Sequence, residues 1–235
     1  MDTAAIALTV ADVDEATKHS IMDEMLSYRD QDGLVQVYFD HTRPRLGMMQ
    51  PSLCHHSPFN LYSDPVVCVN VLTLFYRSGR GHELDTTLDW VYSCLVRRAY
   101  IDGTLYYTTA ETFLFFLSRL MQSSPVMHQR FKRVYSERVM ERFGVEGDCL
   151  ALAMRILAAA TVGLVCDADV RKLASMQCDD GSWTAGSIYR FGLSGTTIAN
   201  VGLTTALAIK AVQAAESIYL ASERNASWSH ISSRP

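Results

Sequence analysis

Apolar residues recur at helical spacing through most of the chain, and the runs they form are separated by glycine, proline and Asp-Gly steps. From position 64 onward the pattern is regular and predicts helices over 64–77, 82–98, 109–122, 125–143, 147–163, 167–177 and 194–219. The breaks fall at Gly79-Arg80-Gly81, Asp102-Gly103, Pro125, Gly144 with Gly147, and Asp180-Gly181. A further helix is expected over about 12–28, opened by Asp12 or Asp14. Residues 1–11 read as a loose start. Residues 29–63 read as a long irregular segment in which Gly33, Pro44, Gly47, Pro51 and Pro58 forbid a continuous helix. Residues 221–235 are polar and read as a frayed tail. The links between helices are short, which favours antiparallel neighbours. The pattern therefore predicts an all-α fold of helical hairpins in one domain over 12–220.

The loops echo one another. QDGLVQVYF at 31–39, IDGTLYYTT at 101–109 and DDGSWTAGSIY at 179–189 each place Asp-Gly in a turn, then apolar or aromatic residues, then Tyr. Each follows a predicted helix, and the last two lead into apolar ones. A repeated unit of this kind is expected of stacked helical hairpins.

Two segments carry a family resemblance. Leu173-Ala-Ser-Met-Gln177-Cys-Asp-Asp-Gly181-Ser-Trp183 resembles the QW motif of squalene-hopene and oxidosqualene cyclases. Its logic is physical: Gln177 bonds backbone at a helix end, Gly181 permits a left-handed turn, and Trp183 packs back on the neighbouring hairpin. Tyr62-Ser-Asp64-Pro65-Val-Val-Cys-Val-Asn70 looks like the place where class II terpene cyclases carry an aspartate-rich motif ahead of a helix. Asp64 falls on the middle aspartate, the proton donor of that family, while Tyr62 and Pro65 stand where its neighbours would be. Asp before Pro is also an ordinary helix start, with Asp as the cap. The resemblance implies an incomplete α/α toroid of about four hairpins. That array is either an open horseshoe or a ring whose missing wall comes from the 29–63 segment or from a second copy in a homodimer. It also implies acid-initiated chemistry on an apolar polyene, without metal or cofactor.

Other residues join Asp64 as substrate-facing candidates. Tyr38, Tyr106, Tyr107 and Tyr189 belong to the echoed loops, whose aromatic faces can stabilise a cation or simply pack hairpins together. Trp183 is added from the QW segment. Asn70 places an amide among apolar neighbours, and a buried amide needs a partner. Glu111 opens a helix, where the dipole alone would favour it. His55 lies in Cys54-His55-His56, a cluster too small for a zinc site on its own, and is retained as a general-base or substrate-facing candidate. Phe113, Phe115 and Phe116 share a helix but not a face. Asp167-Ala-Asp169 opens a helix and reads as capping.

Composition narrows the classes. The net charge of −4 gives no support to nucleic-acid binding. The most basic stretch, 128–143, is amphipathic through Phe131, Val134, Tyr135, Val139 and Phe143; it fits an outer helix or a peripheral membrane contact. No uninterrupted run of apolar residues is long enough for a membrane span. The six cysteines lack close C-x-x-C pairs, and the start lacks a secretory pattern, so reduced thiols in the cytoplasm are expected. Besides a cyclase or isomerase, the same array could hold a lipid-like ligand without converting it. It could also act on carbohydrate through paired carboxylates drawn from Asp64, Asp102, Glu111 and Asp180.

Overall fold

The computed structural model describes residues 1–37, 63–191 and 194–232, and these form an all-α fold with one small β-hairpin. In chain order the helices are α1 (Asp2–Val10), α2 (Glu15–Ser27), α3 (Pro65–Arg77), a 3-10 turn (Gly81–Leu84), α4 (Asp85–Arg97), α5 (Ala110–Ser123), α6 (Pro125–Met140), α7 (Cys149–Ala160) and α8 (Asp167–Ser175). Strands β1 (Gly186–Phe191) and β2 (Thr196–Asn200) and helix α9 (Val201–Ser232) follow. No helix among the described residues is long and apolar enough to cross a membrane. Packing groups the chain into two compact units, Met1–Val134 and Tyr135–Pro235.

In the first unit α3 is the central helix: every residue from Pro65 to Phe75 is buried. Asp64 starts it as an N-cap and Pro65 follows at the first helical position, where the missing N–H costs nothing. Helices α1, α4 and α5 pack on α3. The start of α3 lies beside Thr104, ahead of α5, and Arg77 at its end is felt by Arg119 near the end of α5. Like ends therefore meet, and α3 and α5 run in the same direction, with α4 returning the chain between them. Residues 2–10 are not the loose start that their sequence suggests. They form α1, which buries Ala5 and Leu8 against this unit.

In the second unit α7 plays the central part, with ten of its twelve residues buried. Ala208, Ala211 and Ala215 form a small-residue stripe on α9, which lets that helix approach α7 closely. Residues 194–200 belong to a turn and β2 rather than to a helix. Thr196-Thr-Ile pairs antiparallel with Tyr189-Arg-Phe191, and side chains of this branched and aromatic kind favour extended backbone. Helix α9 begins only after Asn200, whose side chain accepts from Leu203 N at 2.8 Å, and it continues to Ser232, within the stretch expected to be a frayed tail. Gly186 sits where a side chain cannot: an added Cβ would lie 2.2 Å from Leu150 Cβ. Asp148 caps α7 through one oxygen on Ala151 N and holds β1 through the other on Ser187 N.

Asp169 is more than the cap expected of it. It is buried, and its Oδ1 accepts from Arg155 Nη1 and from Gly144 N, each at 3.1 Å. Arg155 is itself fully buried, so this ion pair ties α7 and the loop before it to α8.

The loop echo is a repeat of backbone geometry. Arg29 bridges Val35, and Gln177 bridges Trp183. In the first loop Asp30 N bonds Leu34 O and Gly33 N bonds Asp30 O; in the second Cys178 N bonds Ser182 O and Gly181 N bonds Cys178 O. Gly33 and Gly181 both take positive φ, at 81° and 84°. The middle loop keeps the same glycine turn, with Gly103 N on Tyr100 O, and then departs from the pattern.

Candidate active site

Asp64 sits where a capping carboxylate usually is, but without the usual water. It is 3% exposed, at the buried start of α3. Its Oδ1 accepts from Val66 N at 2.8 Å and more weakly from Val67 N at 3.4 Å. Its Oδ2 is buried and has no hydrogen-bond partner among the described residues. Burial penalises the charged form and pushes the carboxyl up to about 6, with the charge of Asp2 acting in the same direction. The Thr104 hydroxyl nearby and the two capping N–H groups pull the other way and lose to desolvation. The capping bonds thus fix one oxygen as an acceptor and leave the other to carry the proton.

The polar groups around Asp64 come from three segments. Asn70 on α3 donates to Asp2 Oδ1 at 2.7 Å. Tyr107 donates its hydroxyl to Asp2 Oδ2. Thr104 Oγ1 accepts from Tyr107 N at 3.0 Å and Tyr106 N at 3.3 Å, which folds the loop ahead of α5 over the start of α3. Tyr106 and Tyr107 are both buried, as is Glu111 in the first turn of α5. Tyr107 meets Phe116 edge-on with 6.3 Å between centroids, and Phe116 meets Phe115 in the same way. Two buried thiols lie near: Cys68, one turn along α3, and Cys94 on α4. Burial pushes Cys94 up to about 12 and Cys68 well above the usual thiol range, so both are neutral.

The sequence candidates are placed unevenly. Asp64, Asn70, Tyr106 and Glu111 all belong to the first unit and come from α3, α5 and the loop before α5. Tyr38 and His55 lie outside the described residues. Trp183 and Tyr189 belong to the second unit. Trp183 is committed to packing there: its indole N–H donates to Leu173 O at 2.7 Å, and its ring lies in the core with Cys149, Leu152, Ile156 and Leu173. Tyr189 is half-buried on β1 opposite Ile198. Asp102 and Asp180 are exposed turn residues, and Asp180 caps Ser182 within its own turn, so the paired-carboxylate arrangement retains only Asp64 and Glu111 as buried acids.

Two residues of the cluster are not among the sequence candidates: Asp2, in the stretch whose sequence predicts a loose start, and Thr104, in the echoed loop ahead of Tyr106 and Tyr107, where the side that faces Asp64 is set by folding. The echo itself was the available signal.

Two comparisons with known proteins give matches in sequence. Residues 1–78 match the family model of the sesquiterpene cyclase astC-like C-terminal domain. The drimenol cyclase drtB of Aspergillus calidoustus is 41% identical over 214 residues, which make up 90% of this chain and 37% of that protein. No solved structure matches. By fold and sequence the chain is similar to the terpenoid-cyclase-like proteins. Among these, it is similar to the sesquiterpene cyclases of the astC and drtB kind, and it spans little more than a third of the drtB length.

Proposed function

We propose that the chain is the acid-bearing part of a cyclase that protonates an isoprenoid polyene of sesquiterpenoid size. The observation that carries this is the division of labour within one carboxyl group. Asp64 Oδ1 is held by two backbone N–H groups, while the buried Oδ2 has no hydrogen-bond partner among the described residues. Asp64 Oδ2–H donates its proton to a terminal carbon–carbon double bond of the substrate. The positive charge left on the more substituted carbon is captured by the next double bond, closing a ring. Loss of a proton from a neighbouring carbon restores neutrality, so the reaction is an isomerisation in which protons balance. The buried rings of Tyr106 and Tyr107, in the loop ahead of α5, and of Phe116 on α5 belong to the same unit as the acid and are suited to stabilise such a cation. The similarity to a protein named drimenol cyclase supports the substrate class. The free buried thiols Cys68, Cys94 and Cys149 fit a reducing, cytoplasmic setting.

The test is Asp64→Asn beside Asp85→Asn, assayed with prenyl polyenes. Asn caps a helix as well as Asp does, so Asp64→Asn keeps the fold and removes only the acid. A loss of about 10²-fold or more in Asp64→Asn is expected, in the range of a general acid. Asp85 is an exposed carboxylate at the start of α4 and serves as the comparison. Full activity in Asp64→Asn with loss in Asp85→Asn would leave Asp64 as a cap and move the acid to α4.

A further inference from the structure

Resting on that reading of Asp64, we propose that Asp2 is its companion carboxylate: a positioning residue, brought from α1 and held in place by Asn70 and Tyr107, that keeps the acid supplied with its proton. The sequence beside Asp64 lacks neighbouring acids, with Tyr62 and Pro65 at the flanking positions. Folding brings a second acid from a distant part of the chain. Both Asp2 oxygens are fixed by donors, Asn70 Nδ2 at 2.7 Å and the Tyr107 hydroxyl. These donors come from α3 and from the loop ahead of α5, the same two segments that surround Asp64. Tyr107 links the two acids through Thr104: its backbone N–H binds the Thr104 hydroxyl oxygen, which stands beside Asp64, and its phenol binds Asp2. A buried acid beside a second, hydrogen-bonded carboxylate is the arrangement by which paired carboxyls divide acid and anion roles.

Burial is the largest cause of the raised Asp64 carboxyl, and among the neighbouring charges Asp2 adds to it. Cys68 on α3 and Cys94 on α4 are neutral thiols, as their raised values require. Glu111 on α5 is buried and partnered, and Asp30 in the turn after α2 is occupied by Asp32 N and Leu34 N.

The experiment is a carboxyl-carbon NMR titration of Asp64 in the whole chain, in wild type and Asp2→Asn, beside kcat–pH profiles of the same proteins. Asn at position 2 keeps the side-chain shape and removes the charge. The Asp64 midpoint and the high-pH limb of the profile should both move down by about half a unit, the effect of one charge at a partly screened distance. Activity at pH 7 then falls about threefold, with little change at pH 5. Tyr107→Phe, which leaves Asp2 charged but loosens it, should move both in the same direction by less; it also serves if Asp2→Asn does not fold. An unmoved Asp64 midpoint in a folded Asp2→Asn, or equal loss of activity at all pH values, overturns the role of Asp2. Activity retained in Asp64→Asn overturns that role and the acid reading together, whereas an inactive Asp64→Asn with an unmoved titration in Asp2→Asn overturns only the companion role.

Discussion

At the scale of single residues, Asp64 sets function against stability. Its carboxyl stands at about 6 in the folded protein against 3.8 for an ordinary aspartate. Between those values the folded state holds the proton and the unfolded chain releases it, so stability falls as pH rises through this window. The stabilisation is fully present below pH 4 and is lost above pH 6, at a cost of about 3 kcal/mol for the shift cited. Asp64→Asn should therefore be more stable than wild type at pH 7 by about 1–2 kcal/mol, because the lost charge outweighs a buried amide N–H without a partner. At pH 4 that advantage should vanish. Denaturant titrations at the two pH values check this, and equal stabilities at pH 7 would mean that the carboxyl is not desolvated. The activity should fall above pH 6 for the same reason, since only the protonated acid can donate. Asp64 was legible in the sequence because Asp-Pro ahead of an apolar helix is a local signal. Asp2 and its pairing with Tyr107 were not, because that contact joins residues 105 positions apart.

At the scale of elements, the repeated turn is the device that joins one hairpin to the next. Trp183 seals the second unit's copy, with its ring in the core and its N–H on Leu173 O. Trp183→Ala should cost about 3–5 kcal/mol through the cavity it leaves. Thermal unfolding followed by circular dichroism would show it, and a cost below 1 kcal/mol would mean that the ring is not packed. Val35 occupies the matching place in the first copy, and it too is fully buried. The bridge and glycine turn therefore recur where the Gln and Trp of the motif do not. The β-hairpin has its own requirement: Gly186→Ala would drive a methyl group into Leu150 and should destabilise the packing of β1 on α7. Helices α2 to α8 were readable because caps, prolines and apolar periodicity are local. Helix α1 was not, since Ala5 and Leu8 give a weak stripe that matters only once α3 is beneath it.

At the scale of the whole molecule, each unit is organised around one buried helix, and the second also buries an ion pair. Arg155 and Asp169 are both withdrawn from water, and Asp169 Oδ2 has no partner among the described residues. Removing one partner strands the other, so Arg155→Ala should destabilise by about 3–5 kcal/mol. Hydrogen exchange should locate that loss in α7, α8 and the 144–147 loop, and leave the amides of α3 protected. Uniform loss across both units would mean that they unfold as one. The sequence by itself determined the all-α class, most helix boundaries, the repeated turn and the family resemblance, because each of these is written in neighbouring residues. Only the tertiary structure decided which acids share an environment, that the first residues form a packed helix, and that Trp183 packs in a core rather than facing substrate. Burial and long-range hydrogen bonds are properties of contacts between distant segments, and no local pattern specifies them.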